Sequence, residues 1–307
     1  MNESLQTALT RLRLSGLAAS LDVRLQEAAG HHLGHSEFLE LLLQDELLVR
    51  NERLIARRVK AAGFRELKAL DEFDFAFNPS IKRKVIFDLA TGRFIREPRD
   101  VLLIGPPGTG KSHIAQALGY QAIKNGSVVL YRSIFDVVRD FLHDEAMSQQ
   151  DKIMERYLRA DLLIIDDMGM KQLPKRSGEY LFEIIMRRYQ VRSTMMTSNR
   201  PLEDWGKLIG DVPAATAILD RFLHNAEVIA ITGKSYRLRN RAAVEGKASV
   251  AEGKASVAEG KASAADGEQS KQRGRRSTAG DEGLSPPEDT DARKPLSSDR
   301  GAQPATL

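Results

Sequence analysis

The sequence predicts an α/β protein: a parallel sheet covered by helices, with a small helical segment before it and a disordered tail after it. Three observations carry that prediction. An apolar run, Val101-Leu102-Leu103-Ile104, leads into a glycine-rich octapeptide and then into a helical pattern. A second apolar run, Leu162 to Ile165, stops abruptly at Asp166 and Asp167. Between about 71 and 240, candidate strands alternate with helical segments. That alternation marks parallel sheets wrapped by helices on both faces.

Residues 1–70 read as helical. Leu39, Leu43, Leu47, Leu54 and Val59 give the stretch from Ser36 an apolar face, and Gly63 closes it. Ser36 and Glu37 mark its start, since Leu39 makes only a weak capping box with Ser36. Arg50, Arg53, Arg57 and Lys60 step by three, four and three residues, so they line one stripe of the same helix. Such a stripe is ordinarily a solvated face; the competing reading is contact with DNA phosphates. His31, His32 and His35 have loose metal-like spacing, but glycines flank them and no carboxylate or thiol accompanies them. A loop without a ligand is expected there.

The core spans about 71–240, with strands expected at 101–104, 127–131, 162–165, 194–198 and 227–232. Buried strands of a parallel sheet read as continuous apolar runs, and ligands gather at their carboxyl ends. The helix after the first strand shows Ile114, Ala115, Leu118 and Ala122 at helical spacing and closes at Asn125-Gly126.

The tail, 241–307, differs in kind. EGKASVA occupies 245–251, repeats at 252–258 and returns as EGKASAA at 259–265. Each repeat offers at most one valine and carries a glycine, so no coiled-coil seam exists. With no aromatic residue, isoleucine or methionine, the segment cannot offset its ordering entropy, and disorder is expected. Lys271, Arg273, Arg275 and Arg276 form a short basic cluster that reads as solvated charge.

Composition sets further limits. Without cysteine there are no disulfides, thiol nucleophiles or cysteine-based zinc sites. No apolar run approaches a membrane span, and Met1-Asn2-Glu3 opens no signal peptide, so a soluble cytoplasmic protein without a membrane partner is expected. A net charge of +4 permits a nucleic-acid partner without demanding one.

Chemistry concentrates at two strand ends. The octapeptide Gly105-Pro106-Pro107-Gly108-Thr109-Gly110-Lys111-Ser112 fits G-x-x-x-x-G-K-[ST], the phosphate-binding loop of nucleotide hydrolases. Its glycines let backbone N–H groups cradle phosphate oxygens. The helix N-terminus adds partial positive charge, Lys111 a full charge, and the Ser112 hydroxyl a ligand for Mg2+. Asp166 is placed to hold that magnesium, and Asp167 to orient or deprotonate the attacking water. Alone, the acidic pair would read as a solvated turn; 55 residues after Lys111 in a βαβ pattern, it reads as a Walker B site.

Further along, Asn199 ends an apolar strand, Arg221 lies on a helix before the next strand, and Arg237 lies just after it. Individually each reads as a turn residue or a surface ion pair. The order lysine, paired aspartates, asparagine, arginine lifts them together. LLIIDDMG, RRYQVRSTMMTSNRPLEDWG and ILDRFLHNAEVIAITGKSYRLR resemble signature stretches of the AAA+ ATPases and, within them, of the IstB-like transposition helpers. The resemblance covers about residues 1–240. It implies a P-loop AAA+ core of the lidless branch, with ATP and Mg2+ as cofactors. It further implies Lys111 as Walker A lysine, Asp166 and Asp167 as Walker B acids, Asn199 as sensor 1, Arg221 as arginine finger and Arg237 as a sensor-2-like residue. Duplex DNA, a partner transposase and further copies of the chain are the implied partners.

Two departures accompany the resemblance. Asp167 stands where many AAA+ proteins carry glutamate, one methylene longer, so slow turnover is expected. The repeat-bearing tail has no counterpart in the family pattern. Competing readings are a DnaC-like helicase loader and a DNA scaffold that binds ATP without significant hydrolysis. A small-molecule P-loop kinase would need lid arginines and lacks the Asn199 and Arg221 series.

Overall fold

The computed structural model describes residues 3–145, 150–169, 173–174, 177–210 and 212–239. The expectations for the 241–307 tail and its basic cluster fall outside these residues. Three helices come first: α1 (Glu3–Arg11), α2 (Ser15–His31) and α3 (His35–Ala62). α2 and α3 pack against each other around Leu9, Leu17, Leu21 and Leu42. The charged residue Glu46 is buried in this small core. Its carboxylate accepts the Gly16 and Leu17 amides at 2.7 and 3.0 Å, satisfying donors that the first turn of α2 would otherwise leave unpaired. Arg24 forks onto Asp45 with two bonds of 2.9 Å and ties the same pair of helices.

The apolar face expected on α3 is corrected here. Leu39, Leu43 and Leu47 are exposed, while Leu42 and Glu46 face α2, and Ile55 and Val59 pack on the main core. Leucines crowd more than one stripe of α3, and α2 covers only the stripe that Glu46 selects by capping. α3 starts slightly earlier than expected, at His35, with Gly34 as its N-cap and the Gly34 N–H donating to Glu37 at 2.9 Å. The histidines are not in one loop: His31 ends α2, His32 is its left-handed C-cap and His35 begins α3. Among the described residues no group of three His, Cys, Asp or Glu could hold a metal.

The core runs α4 (Arg83–Ala90), α5 (Arg93–Arg96), β1 (Asp100–Ile104), α6 (Lys111–Lys124) and β2 (Val129–Ser133). It continues through α7 (Ile134–Glu145), α8 (Gln150–Arg159), β3 (Leu162–Met168), α9 (Ser177–Arg188) and β4 (Ser193–Ser198). It closes with α10 (Trp205–Ile209), α11 (Val212–His224) and β5 (Ala226–Ala230). The five strands are parallel in the order β2-β3-β4-β1-β5. The α/β parallel sheet expected from the apolar runs is therefore present.

Both faces of the sheet are covered, as the apolar runs of β1 and β3 require. Val101, Leu103 and Ile164 meet Ile114 and Leu118 of α6 and Ile86 of α4 on one side. Leu102, Leu163 and Ile165 meet Phe141 of α7, Tyr157 of α8, Ile184 of α9 and Phe222 of α11 on the other. The strand alternation thus divides one sequence run between two cores. The strand bounds shift: β1, β4 and β5 each begin one residue early, and β5 ends at Ala230, two residues short of the expected 232. β2 begins two residues late, at Val129, because the Val128 amide is taken by the Asp161 carboxylate at 2.8 Å. β3 extends to Met168 through an irregularity between Ile165 and Met168. No helix among the described residues is long and apolar enough to cross a membrane.

Candidate functional site

The octapeptide leaves β1 at its carboxyl end and returns as the first turn of α6. Its glycines answer to close neighbours as well as to backbone shape. Gly105 has φ of +155°, and a Cβ there would meet the Ile231 carbonyl at 1.9 Å. Gly108 has φ of +80°, and its Cβ would meet Ser235 Oγ at 2.0 Å. The chain after β5 therefore lies against the loop, and the Tyr236 amide donates to the Gly108 carbonyl at 2.9 Å.

Lys111 is almost fully buried, with Nζ donating to the Gly105 and Pro106 carbonyls at 2.8 and 2.7 Å. Burial pulls its ammonium down to about 8, against the nearby charges of Asp166 and Asp167 that hold it up. Arg237, on the short 3₁₀ turn Tyr236–Leu238, adds a further downward push. The lysine, the paired aspartates and Arg237 thus share one electrostatic neighbourhood.

Asp166 is wholly buried at the end of β3. Three hydroxyls surround it. Ser112 Oγ donates to Oδ1 at 2.9 Å, Thr197 Oγ1 makes a short bond to the same oxygen, and Tyr131 OH makes a short bond to Oδ2. Burial, and then the Asp166 charge, push the Tyr131 phenol well above its ordinary value, so it remains a donor. Asp167 takes the left-handed backbone, φ +64°, a conformation that costs a non-glycine residue roughly 1 kcal/mol or more. Its amide donates to Thr197 Oγ1 at 3.1 Å, and its carboxylate accepts Arg65 Nη1 at 2.7 Å.

Asn199 stands one residue beyond β4, its amide donating to the Met168 carbonyl at 3.2 Å across the adjacent end of β3. Arg221 is not gathered with the others. It is exposed on α11, pairs with Asp220 at 3.3 Å and lies over the Tyr189 ring at 5.7 Å. The buried face of α11 packs on the side of the sheet opposite α6. The basic stripe of α3 also divides. All four residues are exposed, but Arg50 pairs with Glu46 at 2.7 Å and Arg53 donates to Ser15 Oγ.

Four contributors went unread in the sequence. Thr197 carried only a faint signal, being one of four hydroxyl residues in a strand buried at every position. Tyr131 looked like core. Arg65 lies 102 residues from Asp167, with nothing local to flag it. Arg188 is a structural case: it is buried, and its guanidinium reaches the Tyr157 and Ala160 carbonyls at 2.7 and 2.9 Å and Thr194 Oγ1 at 3.1 Å.

Comparison with known proteins places the sequence in a family. The family model described as IstB-like ATP binding protein matches residues 7–244. A protein of Pseudomonas aeruginosa, named as an ATP-binding protein of insertion sequence IS21, is 35% identical over 237 residues, 77% of this chain and 89% of its own. Another from Geobacillus stearothermophilus, named for insertion sequence IS5376, is 34% identical over 247 residues, 80% of this chain and 98% of its own. Among solved structures, the DnaC helicase loader is 23% identical, with a TM-score of 0.42 over 48% of this chain and 86% of that one. DnaI is 19% identical, with a TM-score of 0.47 over 54% and 91% of the two chains. With a phosphate-binding loop facing paired aspartates and a family match over most of its length, the chain belongs to the IstB-like ATP-binding proteins.

Proposed function

We propose that this protein is an ATP-dependent, DNA-binding helper of insertion-element transposition. It assembles as a multimer on duplex DNA, hydrolyses ATP slowly and assists a transposase. The single observation that carries the reading is the 2.9 Å contact between Ser112, at the start of α6, and Asp166, at the end of β3. It joins the phosphate loop to an acid at the carboxyl edge of the sheet, where P-loop enzymes hold nucleotide and metal. Names given to the relatives, all tied to insertion sequences, support the biological setting.

In this reading the loop amides and Lys111 hold the β- and γ-phosphates, and Lys111 exchanges its two loop carbonyls for phosphate oxygens. The donor set fits magnesium, which takes one or two carboxylates, a hydroxyl and phosphate oxygens in place of an all-protein cage. Ser112 and Asp166 would hold it, and when bound it supplies positive charge against the phosphates. Thr197 and Tyr131 fix the Asp166 carboxylate so that its free lone pairs face one direction. Asp167 orients the attacking water and takes its proton. Asn199 holds that water or the γ-phosphate from the neighbouring strand end, and Arg237 adds positive charge from the 3₁₀ turn. Arg221, remote from its own loop, completes the site of a neighbouring subunit. Arg57 and Lys60 offer the exposed charge on α3 for DNA phosphates, with Arg50 and Arg53 contributing less because they are engaged within the helical segment.

A second reading, ATP binding without significant hydrolysis, draws on Asp167 being occupied by Arg65. Steady-state phosphate release with and without duplex DNA separates the two. Turnover that rises with DNA is expected; release at the level of buffer alone under both conditions would leave only the scaffold reading.

A further inference from the structure

The helical segment reaches the candidate site through Arg65, and the connection is rigid. α3 ends with Ala62, which is fully buried and whose carbonyl accepts Arg132 Nη1 at 3.4 Å. The same nitrogen donates to the Tyr131 carbonyl at 2.7 Å, which fastens the end of α3 to β2. Phe64 comes next, its ring centroid 5.8 Å from that of Tyr131. The ring also lies so close to α6 that a Cβ at Gly119 would meet it at 2.9 Å. Arg65 then extends to Asp167, 2.7 Å from Nη1 to Oδ2. The ion pair is the solvent-open end of this path, so it is the contact that strain transmitted from α3 breaks most readily.

Asp167 is held at two points, through its amide by Thr197 and through its carboxylate by Arg65. The bond to Arg65 occupies one carboxylate oxygen and fixes the direction in which the other faces. The side chains of Arg65 and Asp167 are 50% and 20% exposed. A pair this open to water holds its partners only weakly, so it can be broken by modest forces. The exposed cations Arg57 and Lys60 sit on the last turns of α3, directly before the Ala62–Arg65 connection.

We infer that Arg65 is a positioning residue that restrains Asp167, and that engagement of α3 by DNA phosphates withdraws it, so that the ion pair is a brake coupling DNA binding to ATP hydrolysis. The inference rests on the reading of Asp167 as the group that activates water. Its sign distinguishes it from the alternative, in which Arg65 itself binds the γ-phosphate: loss of a brake raises the DNA-free rate, whereas loss of a phosphate ligand lowers it.

The experiment measures phosphate release by the full-length protein, with and without duplex DNA, for wild type, Arg65→Ala, Arg65→Lys and Asp167→Asn. Arg65→Ala should release phosphate without DNA up to roughly fivefold faster than wild type, the range a half-exposed ion pair can control. Its stimulation by DNA should shrink accordingly. Arg65→Lys keeps the charge and should stay close to wild type. Fluorescent-nucleotide affinity and melting temperature of Arg65→Ala should match wild type; if truncation disturbs Phe64, Arg65→Gln serves with the same expected result. An unchanged or lower DNA-free rate in Arg65→Ala, with wild type active and Asp167→Asn silent, overturns the brake and leaves the proposed function intact. No release from wild type or Arg65→Ala, even on DNA, overturns both.

Discussion

Asp166 and Asp167 are neighbours in sequence but occupy opposite situations. Asp166 is sealed among three hydroxyls, which fixes its carboxylate. Asp167 sits on an irregular, left-handed turn of β3 with its carboxylate near the surface. Under the proposed function, that difference assigns binding to one and turnover to the other. Asp167→Asn keeps the shape and removes the charge that would take a proton, so ATP binding should persist while hydrolysis falls by about 100-fold or more. Lys111→Ala should instead abolish tight ATP binding, read by fluorescent-nucleotide titration at unchanged circular dichroism. Wild-type affinity in the lysine variant would mean that the loop is not the nucleotide site. At this scale the sequence is informative where local spacing encodes geometry: a glycine-rich turn before a helix, or acids after an apolar run. Thr197, Tyr131 and Arg65 escaped because their roles depend on which strands and segments become neighbours, and no local pattern records that.

The strands and α6 were legible for the same reason, since each is a continuous apolar or helically periodic run. α3 was legible as a helix but not in its buried face, because its leucines populate several stripes and only packing against α2 selects among them. Arg188, at the end of α9, serves structure alone. It is buried with donors directed to carbonyls of the α8 end and of Ser193, and it lies near the buried Asp100 of β1. Arg188→Leu would strip those buried carbonyls of their donor, at about 1–3 kcal/mol for each group left unsatisfied, a loss that chemical unfolding would read. Asp100 also gives the fold a pH signature. Burial pushes its carboxyl up to about 7, against the Thr194 amide and Arg188, which favour the anion. Because the folded state holds the proton more tightly than the unfolded chain, this group costs stability as pH rises from about 4 to about 7. Asp100→Asn can still accept the Thr194 amide and loses the titration. The melting temperature of the variant minus that of wild type should therefore increase across that window and level off above it. A difference independent of pH would show that Asp100 titrates normally.

At the scale of the whole molecule, the proposed function calls for more than one chain. Lys111, Ser112, Asp166 and Asp167 meet at one edge of the sheet, while Arg221 is exposed on a helix packed against the opposite face. If Arg221 completes a neighbour's site, Lys111→Ala and Arg221→Ala should each hydrolyse ATP poorly. Their mixture on duplex DNA should regain activity, because some junctions then pair an intact loop with an intact arginine. Phosphate release from that mixture, measured against each variant alone at equal total protein, tests the central claim most directly. The account predicts a rate clearly above the average of the two separate variants, rising more steeply than linearly with protein concentration. A rate equal to that average, together with full activity of Arg221→Ala as a monomer, would contradict it.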